Sequence, residues 1–187
     1  TMMLMVAILF GSLYGFKYVK QGFFPSTSLP MVLVDYWLPE GSDIRATEAD
    51  IKQLEQQILE LDYVKQVTST IGQGADRFML TYAPERNFAS YAQVIVQTDS
   101  YEHLEPTVGK IDVLLKEQFP QAFTKFTRVS IGPSTKAKIE ARIVGSDPDI
   151  LRALAAQVMS IFNSEPMAIN VDQDWRQRTK LLRPVYD

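Results

Sequence analysis

The side chains that could do chemistry are few, and the first to consider is the single histidine, His103. A histidine held between a serine or cysteine and a carboxylate can activate a nucleophile. His103 instead stands beside Glu102 and Glu105 at the start of a predicted amphipathic helix, which indicates a solvated side chain. The sequence contains no cysteine, which excludes thiolate nucleophiles and zinc–thiolate sites. We therefore predict no catalytic residue, no metal site and no cofactor.

The second candidate is a pair of closely spaced glycines, Gly72 and Gly74, on either side of Gln73. Glycine-rich turns can cradle phosphate groups, but a P-loop ends in Lys-Ser/Thr and a dinucleotide site lies between a strand and a helix. The sequence around these glycines has neither feature. It predicts a hairpin turn or a mobile loop.

Charged residues supply two further candidates. Asp35 falls inside a predicted strand, where it is either functional or a side chain at an edge or on the outward face. A basic cluster near the end of the chain has alternate spacing, which would place its first three members on one face of a strand. That face is either solvated or a contact for an anion or a partner. The cluster consists of Arg176, Arg178, Lys180 and Arg183.

The elements that position these residues follow from the spacing of apolar side chains. Runs rich in β-branched and aromatic residues predict strands at 30–37, 63–71, 78–82, 91–97 and 127–131. Helices are predicted from about 43 to 61 and from 100 to 119. The first has one apolar stripe, formed by Ile44, Ile51, Leu54, Ile58 and Leu61. The order β-α-β-(β)-β-α-β predicts a ferredoxin-like split βαβ fold of the α+β class.

A second unit follows Gly132-Pro133-Ser134. It has a predicted strand at 137–144, a helix from Pro148 to about residue 162, and a strand at 167–171, with 180–182 as a possible last strand. A β-α-β piece of this size rarely buries its own core, so we expect it to be half of a domain completed elsewhere. The predicted boundaries are 21–134 for the first unit and 135–187 for the second.

The bulk properties suit a folded protein and exclude one common function class. The chain has 187 residues, 46% of them hydrophobic and 22% charged. This balance is typical of globular domains rather than disordered segments. The formal net charge of −3 argues against a nucleic-acid binder, which usually has a clear basic excess.

The first residues form an apolar run, 2–16, that contains no charge. It could be a signal peptide, a buried core helix or the last part of a transmembrane helix that begins upstream. A signal peptide would have a basic region before the run and a small-residue cleavage site after it, and neither is clear. Tyr14, Phe16 and Tyr18 with Lys17 and Lys20 form an aromatic and basic belt typical of a membrane interface, so we expect the transmembrane helix.

Four segments, in the order in which they occur along the chain, resemble a known family. They read VKQGFFP at 19–25, VDYWLPEGSDI at 34–44, RFMLTYAPERN at 77–87 and SYAQVIVQ at 90–97, and the later segments 139–155 and 174–184 fit with them. Together they resemble the resistance–nodulation–division efflux pumps, and more narrowly the acriflavine-resistance, hydrophobe/amphiphile type. The resemblance covers nearly all of the chain.

The resemblance implies an arrangement and a function. Residues 1–20 would end a transmembrane helix, 21–134 would form a porter subdomain, and 135–187 would form the first half of a second. The complete protein would be a homotrimer in the bacterial inner membrane. It would export drugs or other amphiphiles in exchange for protons, with this segment in the periplasm and without covalent catalysis. Its partners would be a periplasmic adaptor and an outer-membrane channel.

The resemblance also implies a substrate pocket at the glycine loop and its flanking strands. The matching positions are Thr68, Thr70, Gln73, Gly74, Ala75 and Phe78. Thr68, Gln73 and Ala75 stand where the family often has phenylalanine, so we expect a pocket that is less aromatic. A membrane-tethered α+β ligand-binding or sensor module is the alternative function. An enzyme on a ferredoxin-like scaffold is a weaker one.

Overall fold

The computed structural model describes residues 2–16, 27–79, 82–129, 137 and 139–180. Within the described residues, every helix and strand lies before residue 129 except one helix, which lies at 148–164. The elements are α1 (Met2–Phe16), β1 (Met31–Trp37), α2 (Ile44–Leu59), β2 (Val64–Ile71), β3 (Tyr91–Thr98), a short 3-10 helix (Tyr101–His103), α3 (Leu104–Gln118), β4 (Phe123–Arg128) and α4 (Pro148–Ser164).

The four strands form one sheet in the order β2-β3-β1-β4. Each neighbouring pair is antiparallel. Strands β1 and β2, which α2 connects, are separated in space by β3, as the split βαβ plan requires. The predicted α+β, ferredoxin-like fold is confirmed.

The core lies between one face of this sheet and helices α2 and α3. Alternate residues of the central strand β1, Val32, Val34 and Tyr36, are buried against the helices because side chains alternate between the two faces of a strand. Tyr36 is fully buried, and its hydroxyl donates to Asp50 Oδ2 at 2.8 Å, so its polar atom is satisfied. Burial raises the pKa of Tyr36 well above its usual range, which keeps the phenol protonated as a donor.

The apolar stripe of α2 is formed largely as its spacing predicts. Ile51, Leu54 and Ile58 are fully buried in the core. Ile44 differs, because it lies in the first turn and covers Gly72 instead of the core. The helix begins after Asp43, whose side chain accepts a hydrogen bond from the backbone N–H of Arg45 at 2.9 Å and so satisfies a free amide of the first turn.

The predicted strand at 78–82 is wrong for the residues that the structure describes there. Phe78, Met79 and Tyr82 are not in a strand. The backbone N–H of Tyr82 donates to Met79 O at 3.2 Å, so the chain turns back on itself at this point. The predicted strand at 127–131 is also displaced in its described residues, and 130–131 lie outside the described part of the chain. The strand begins at Phe123 and ends at Arg128, because Phe123 is the partner of Trp37 at the end of β1.

In the second unit the predicted helix is confirmed as α4, but the strands on either side of it are wrong in the described residues. Ile139 and Val144 are 77% and 85% exposed, and Met167 and Ile169 are exposed as well. A strand needs a neighbour for its backbone groups, and the sheet described here is built only from first-unit strands. Lys180 is not in a strand, and 181–182 lie outside the described residues.

Helix α1 stands apart from this core, since none of its side chains is buried. The alternative of a buried core helix for residues 2–16 is therefore wrong. Fifteen residues at ~1.5 Å each reach about 22 Å, less than a bilayer core of about 30 Å. Among the described residues, no helix is both long and apolar enough to span a membrane. The predicted interface residues Lys17, Tyr18 and Lys20 lie outside the described part of the chain.

Candidate functional site

The face of the sheet that points away from α2 and α3 carries the polar residues of the candidate site. Register places Asp35 of β1 opposite Gln93 of β3. It places Thr70 of β2 opposite Gln93 on the other side, and Thr68 opposite Ile95. Directly paired residues of an antiparallel sheet share a face. The two predicted threonines therefore lie on this outer face together with Asp35. Asp35 is thus outward-facing, although its strand is central in the sheet.

The chain between β2 and β3 folds back over the start of β3. We call residues 72–79 the glycine loop and residues 82–88 the returning segment. Gly72 has a φ of +82°, which favours glycine, and its N–H donates to Tyr91 O at 2.7 Å. Phe88 N–H donates to Gly72 O at 2.9 Å, and Gly74 N–H donates to Glu85 O at 3.2 Å. These bonds hold the two segments against each other.

A network of buried and half-buried polar side chains joins the glycine loop to the sheet. Gln93 Oε1 accepts from the Ala75 N–H at 3.0 Å and from the Tyr82 hydroxyl at 2.6 Å. Gln93 Nε2 donates to Asp35 Oδ1 at 2.8 Å, and the Tyr91 hydroxyl donates to the same oxygen at 2.6 Å. Burial raises the pKa of Tyr82 and of Tyr91, and the Asp35 charge acts in the same direction. Both phenols therefore remain donors at neutral pH.

Gly74 occupies the tightest point of this arrangement. A Cβ at this position would lie 2.6 Å from Glu85 N, 3.0 Å from the Tyr82 hydroxyl oxygen and 3.1 Å from Pro84 Cα. Two of those atoms are backbone and cannot easily move aside. The residue is glycine here because the returning segment approaches its backbone too closely for a side chain.

The structure brings some of the predicted pocket residues together and leaves others apart. Thr70 and Ala75 lie next to Gln93, with Gly74 beside them. Gln73 and Thr68 are exposed. Phe78 is 44% exposed and stacks on Tyr82, with ring centroids 4.9 Å apart.

Sequence reasoning missed Gln93, Tyr82 and Tyr91 as parts of this site. The available signal was the alternation of β3, where Tyr91 and Gln93 share a face and only one residue separates them. A glutamine that is only 3% exposed needs buried hydrogen-bond partners.

A second cluster lies at the end of β1 next to the glycine loop. The Arg176 guanidinium carbon is 2.9 Å from the centroid of the Trp37 ring and 5.6 Å from that of Phe88. Trp37 in turn contacts Tyr91, with ring centroids 4.2 Å apart. Arg176 Nη1 is 3.5 Å from Glu40 Oε1. Burial lowers the pKa of Arg176, and the Glu40 carboxylate opposes that shift.

The basic cluster therefore does not form the strand face that its spacing predicts. Arg176 covers an aromatic surface, whereas Arg178 forms an exposed ion pair with Asp149 of α4. Neither residue belongs to a strand. Arg183 lies outside the described residues.

Replacing Arg176 with glutamine is expected to expose Trp37 and to lower the free energy of unfolding by about 0.5–2 kcal/mol, the usual range for a cation–π contact. Fluorescence in a Trp175→Phe background measures the first effect as a red shift of Trp37 emission. Chemical denaturation measures the second.

The matched control is Arg178→Gln, which removes an exposed ion pair and should change little. Equal effects of the two substitutions would show that Arg176 has no special contact with Trp37.

His103 has a structural environment rather than a catalytic one. Its ring stacks on Tyr63 with centroids 3.8 Å apart. Its Nδ1 is 2.7 Å from Asp99 Oδ1 and 3.1 Å from Ser100 Oγ. A nucleophilic triad needs the serine and the carboxylate on different ring nitrogens, so this geometry does not form one. The bond to His103 lowers the pKa of Asp99.

The chemistry that the outer-face site can perform is recognition. Its side chains offer hydroxyl, amide, carboxylate and aromatic groups, which bind organic molecules by hydrogen bonds and apolar contact. Within the described part of the chain, no group of three or more His, Cys, Asp or Glu could hold a metal ion. An open groove of about 500 Å³ lies elsewhere, between α3 and β4, and includes Val108, Phe126 and Arg128 but no predicted pocket residue.

Comparison with known proteins gives a likeness of fold. No protein-family model and no curated protein sequence matches the chain. A crystal structure of a heavy metal efflux pump is similar with a TM-score of 0.59 and 15% sequence identity, over 94% of this chain and 18% of the pump chain. A second crystal form of a heavy metal efflux pump gives a TM-score of 0.55 and 14% identity, over 88% and 18%. The chain thus spans less than a fifth of these proteins and has the fold of one part of them.

Proposed function

We propose that the chain is a periplasmic porter segment of an inner-membrane efflux pump of the resistance–nodulation–division type. The observation that carries this proposal is the structural likeness to one part of an efflux pump over 94% of the chain. The ferredoxin-like strand order supports it, as do the ordered segments that resemble this family. A porter segment acts by binding and by movement and needs no covalent chemistry, which agrees with the recognition groups on the outer face of the sheet.

The finer features of the proposal rest on the family resemblance. They are a homotrimeric complete protein, exchange of substrate for protons, a periplasmic adaptor and an outer-membrane channel. In this scheme 21–134 is one porter subdomain, and 135–187 begins the next, which explains why the described residues on either side of α4 do not join the sheet.

For the substrate we propose drugs or other amphiphilic organic molecules. The candidate pocket residues support this class, because threonine hydroxyls, the Gln73 amide and the Phe78 ring suit organic ligands. The solved structures with a similar fold are those of heavy metal efflux pumps. Metal export is therefore the second candidate for this chain.

The two substrates can be separated with the complete protein in a bacterial host that lacks its own efflux pumps. Accumulation of ethidium and accumulation of Ag⁺ are measured in parallel, with an empty vector as the baseline. We expect lower ethidium accumulation and unchanged silver accumulation.

The reverse pattern would transfer the proposal to metal export. No change in either, in cells whose membranes contain the protein, would contradict a pump and favour the ligand-binding or sensor module. The sequence that follows Asp187 gives a second test, since a proton-driven pump must continue through membrane helices that carry Asp and Lys.

A further inference from the structure

Arg176 is the half-buried side chain through which the second unit meets the end of β1. Helix α4 has no buried residue, so it does not pack into the core of the sheet. We call residues 174–179 the strap, because they contact both α4 and the end of β1. Within 172–180, Arg176 alone is not exposed. Ile169 also comes near the first unit, at the groove beside β4, but it remains 82% exposed.

On one side the strap is bound to α4. Arg152 Nη1 donates to the backbone carbonyl of Arg176 at 3.1 Å. The Arg152 guanidinium carbon also lies 5.3 Å from the centroid of the Trp175 ring. Arg178 forms its ion pair with Asp149 in the first turn of the same helix. The strap and α4 are therefore expected to move together.

On the other side the strap reaches the first unit. The Arg176 guanidinium contacts the Trp37 ring and lies near Phe88, and its Nη1 is 3.5 Å from Glu40 Oε1. The Glu40 backbone N–H donates to Gln177 Oε1 at 3.2 Å, but that bond is exposed. Exposed polar contacts contribute little to stability, whereas a cation that is partly removed from water and lies on an aromatic ring contributes more. The attachment thus depends chiefly on Arg176.

The surroundings of this guanidinium are acidic. Burial lowers the pKa of Arg176, and the carboxylates of Glu40, Glu85 and Asp172 act against that shift. Glu85 belongs to the returning segment, and Asp172 precedes the strap. Aromatic rings together with several carboxylates are the groups that bind a cation.

We propose that Trp37, Phe88 and Glu40 form a guanidinium site, and that its occupation by Arg176 fixes α4 and the strap to the first unit. The kind of partner that this surface takes is a guanidinium group, and Arg176 supplies it from within the chain. The proposal is independent of export, because it concerns an attachment between two parts of this chain.

The preference for a guanidinium over an ammonium follows from the contact with Trp37. A guanidinium is planar and weakly hydrated, so it can stack on the indole while its N–H groups point towards Glu40. An ammonium is a compact and strongly hydrated charge, and it would lose more hydration beside an indole that is only 7% exposed. A neutral amide has no charge for the ring or the carboxylate to attract.

The ligand class is tested with Arg176→Lys, which keeps the positive charge and removes the guanidinium. The full 187-residue chain is used in detergent micelles, because α1 is exposed and apolar. In a Trp175→Phe background, Trp37 is the only tryptophan. Its emission should shift to the red in Arg176→Lys as far as in Arg176→Gln. Wild-type emission in Arg176→Lys would overturn the preference for a guanidinium, and wild-type emission in both variants would overturn the site.

The attachment itself is tested by measuring a distance between the two units. The chain has no cysteine, so Gln56→Cys in α2 and Ser160→Cys in α4, both at exposed positions, provide two sites for spin labels. Pulsed electron–electron double resonance then gives the distribution of distances between the labels. We expect a single narrow distribution with Arg176 present and its loss in Arg176→Gln, because α4 has no buried contact to hold it in place.

The matched control is Lys110→Gln, which also removes a cation paired with an exposed carboxylate, Asp62, but lies wholly within the first unit. It should leave the distribution narrow. A broad distribution in the unmodified chain, a narrow one in Arg176→Gln, or equal broadening in the control would each overturn the attachment.

Glu40→Gln provides a second variant should Arg176→Gln fail to fold. It keeps the arginine and the length of the side chain at position 40, and removes the carboxylate from the site. The distance distribution should broaden and Trp37 emission should shift to the red, both in the same direction as in Arg176→Gln. A narrow distribution together with unchanged emission would equally reject the proposal.

Discussion

Replacing Gly74 with alanine is expected to displace the glycine loop from the returning segment and to lower the free energy of unfolding by about 1–3 kcal/mol, the usual cost of an overpacked buried site. The new Cβ would stand 2.6 Å from Glu85 N and 3.1 Å from Pro84 Cα, so the backbone of one segment must move. That movement also strains the bond from Gly74 N–H to Glu85 O. Chemical denaturation of the full chain gives the loss of stability.

The matched control for this prediction is Gly109→Ala in α3. A Cβ at Gly109 has no heavy atom within 4 Å, and alanine is the better helix former. The control should be neutral or stabilising by up to about 1 kcal/mol. If Gly74→Ala were tolerated as well as Gly109→Ala, the close approach of the returning segment would not exist in solution.

Replacing Leu54 with alanine should have the larger effect on stability, with a loss of roughly 2–5 kcal/mol in the free energy of unfolding. Leu54 lies in the middle of the α2 stripe and is 0% exposed between the helix and the sheet. The substitution removes apolar contacts and leaves a cavity between α2 and the strands it packs on, β2 and β3. Urea denaturation followed by circular dichroism measures the change.

Leu59→Ala supplies the comparison, because it is the same substitution five residues later in the same helix, where the side chain is 51% exposed. It should change the free energy of unfolding by no more than about 0.5 kcal/mol. Similar losses for the two variants would mean that α2 does not pack on the sheet with the face described here.

Those parts of the fold that depend on nearby residues could be predicted from the sequence. The stripe of Ile51, Leu54 and Ile58 is set by helical spacing, and the start of α2 by the capping carboxylate of Asp43. Strands β1 and β3 are rich in β-branched and aromatic residues, and their existence and approximate bounds follow from that. The strand order then follows from the connectivity of a split βαβ unit.

The remaining parts depend on contacts between residues far apart in the chain. Alternation at 139–144 is compatible with a strand, but a strand forms only beside a partner, and alternation carries no information about partners. The position of the glycine loop depends on Gln93, which is 18 residues from Ala75. Thr70 and Gly74 were predicted from a family pattern, whereas their common neighbour Gln93 emerges only from the sheet register.

The contact of Arg176 with the end of β1 has a consequence for the order of folding. Its partner Glu40 is 136 residues away, and closing so long a flexible loop costs roughly 4 kcal/mol of chain entropy. The contact itself contributes only about 0.5–2 kcal/mol. It can form only after the sheet and helices α2 and α3 have already shortened the intervening chain. We therefore infer that residues 174–180 dock after the rate-limiting step, so Arg176→Gln should speed unfolding and leave the folding rate unchanged.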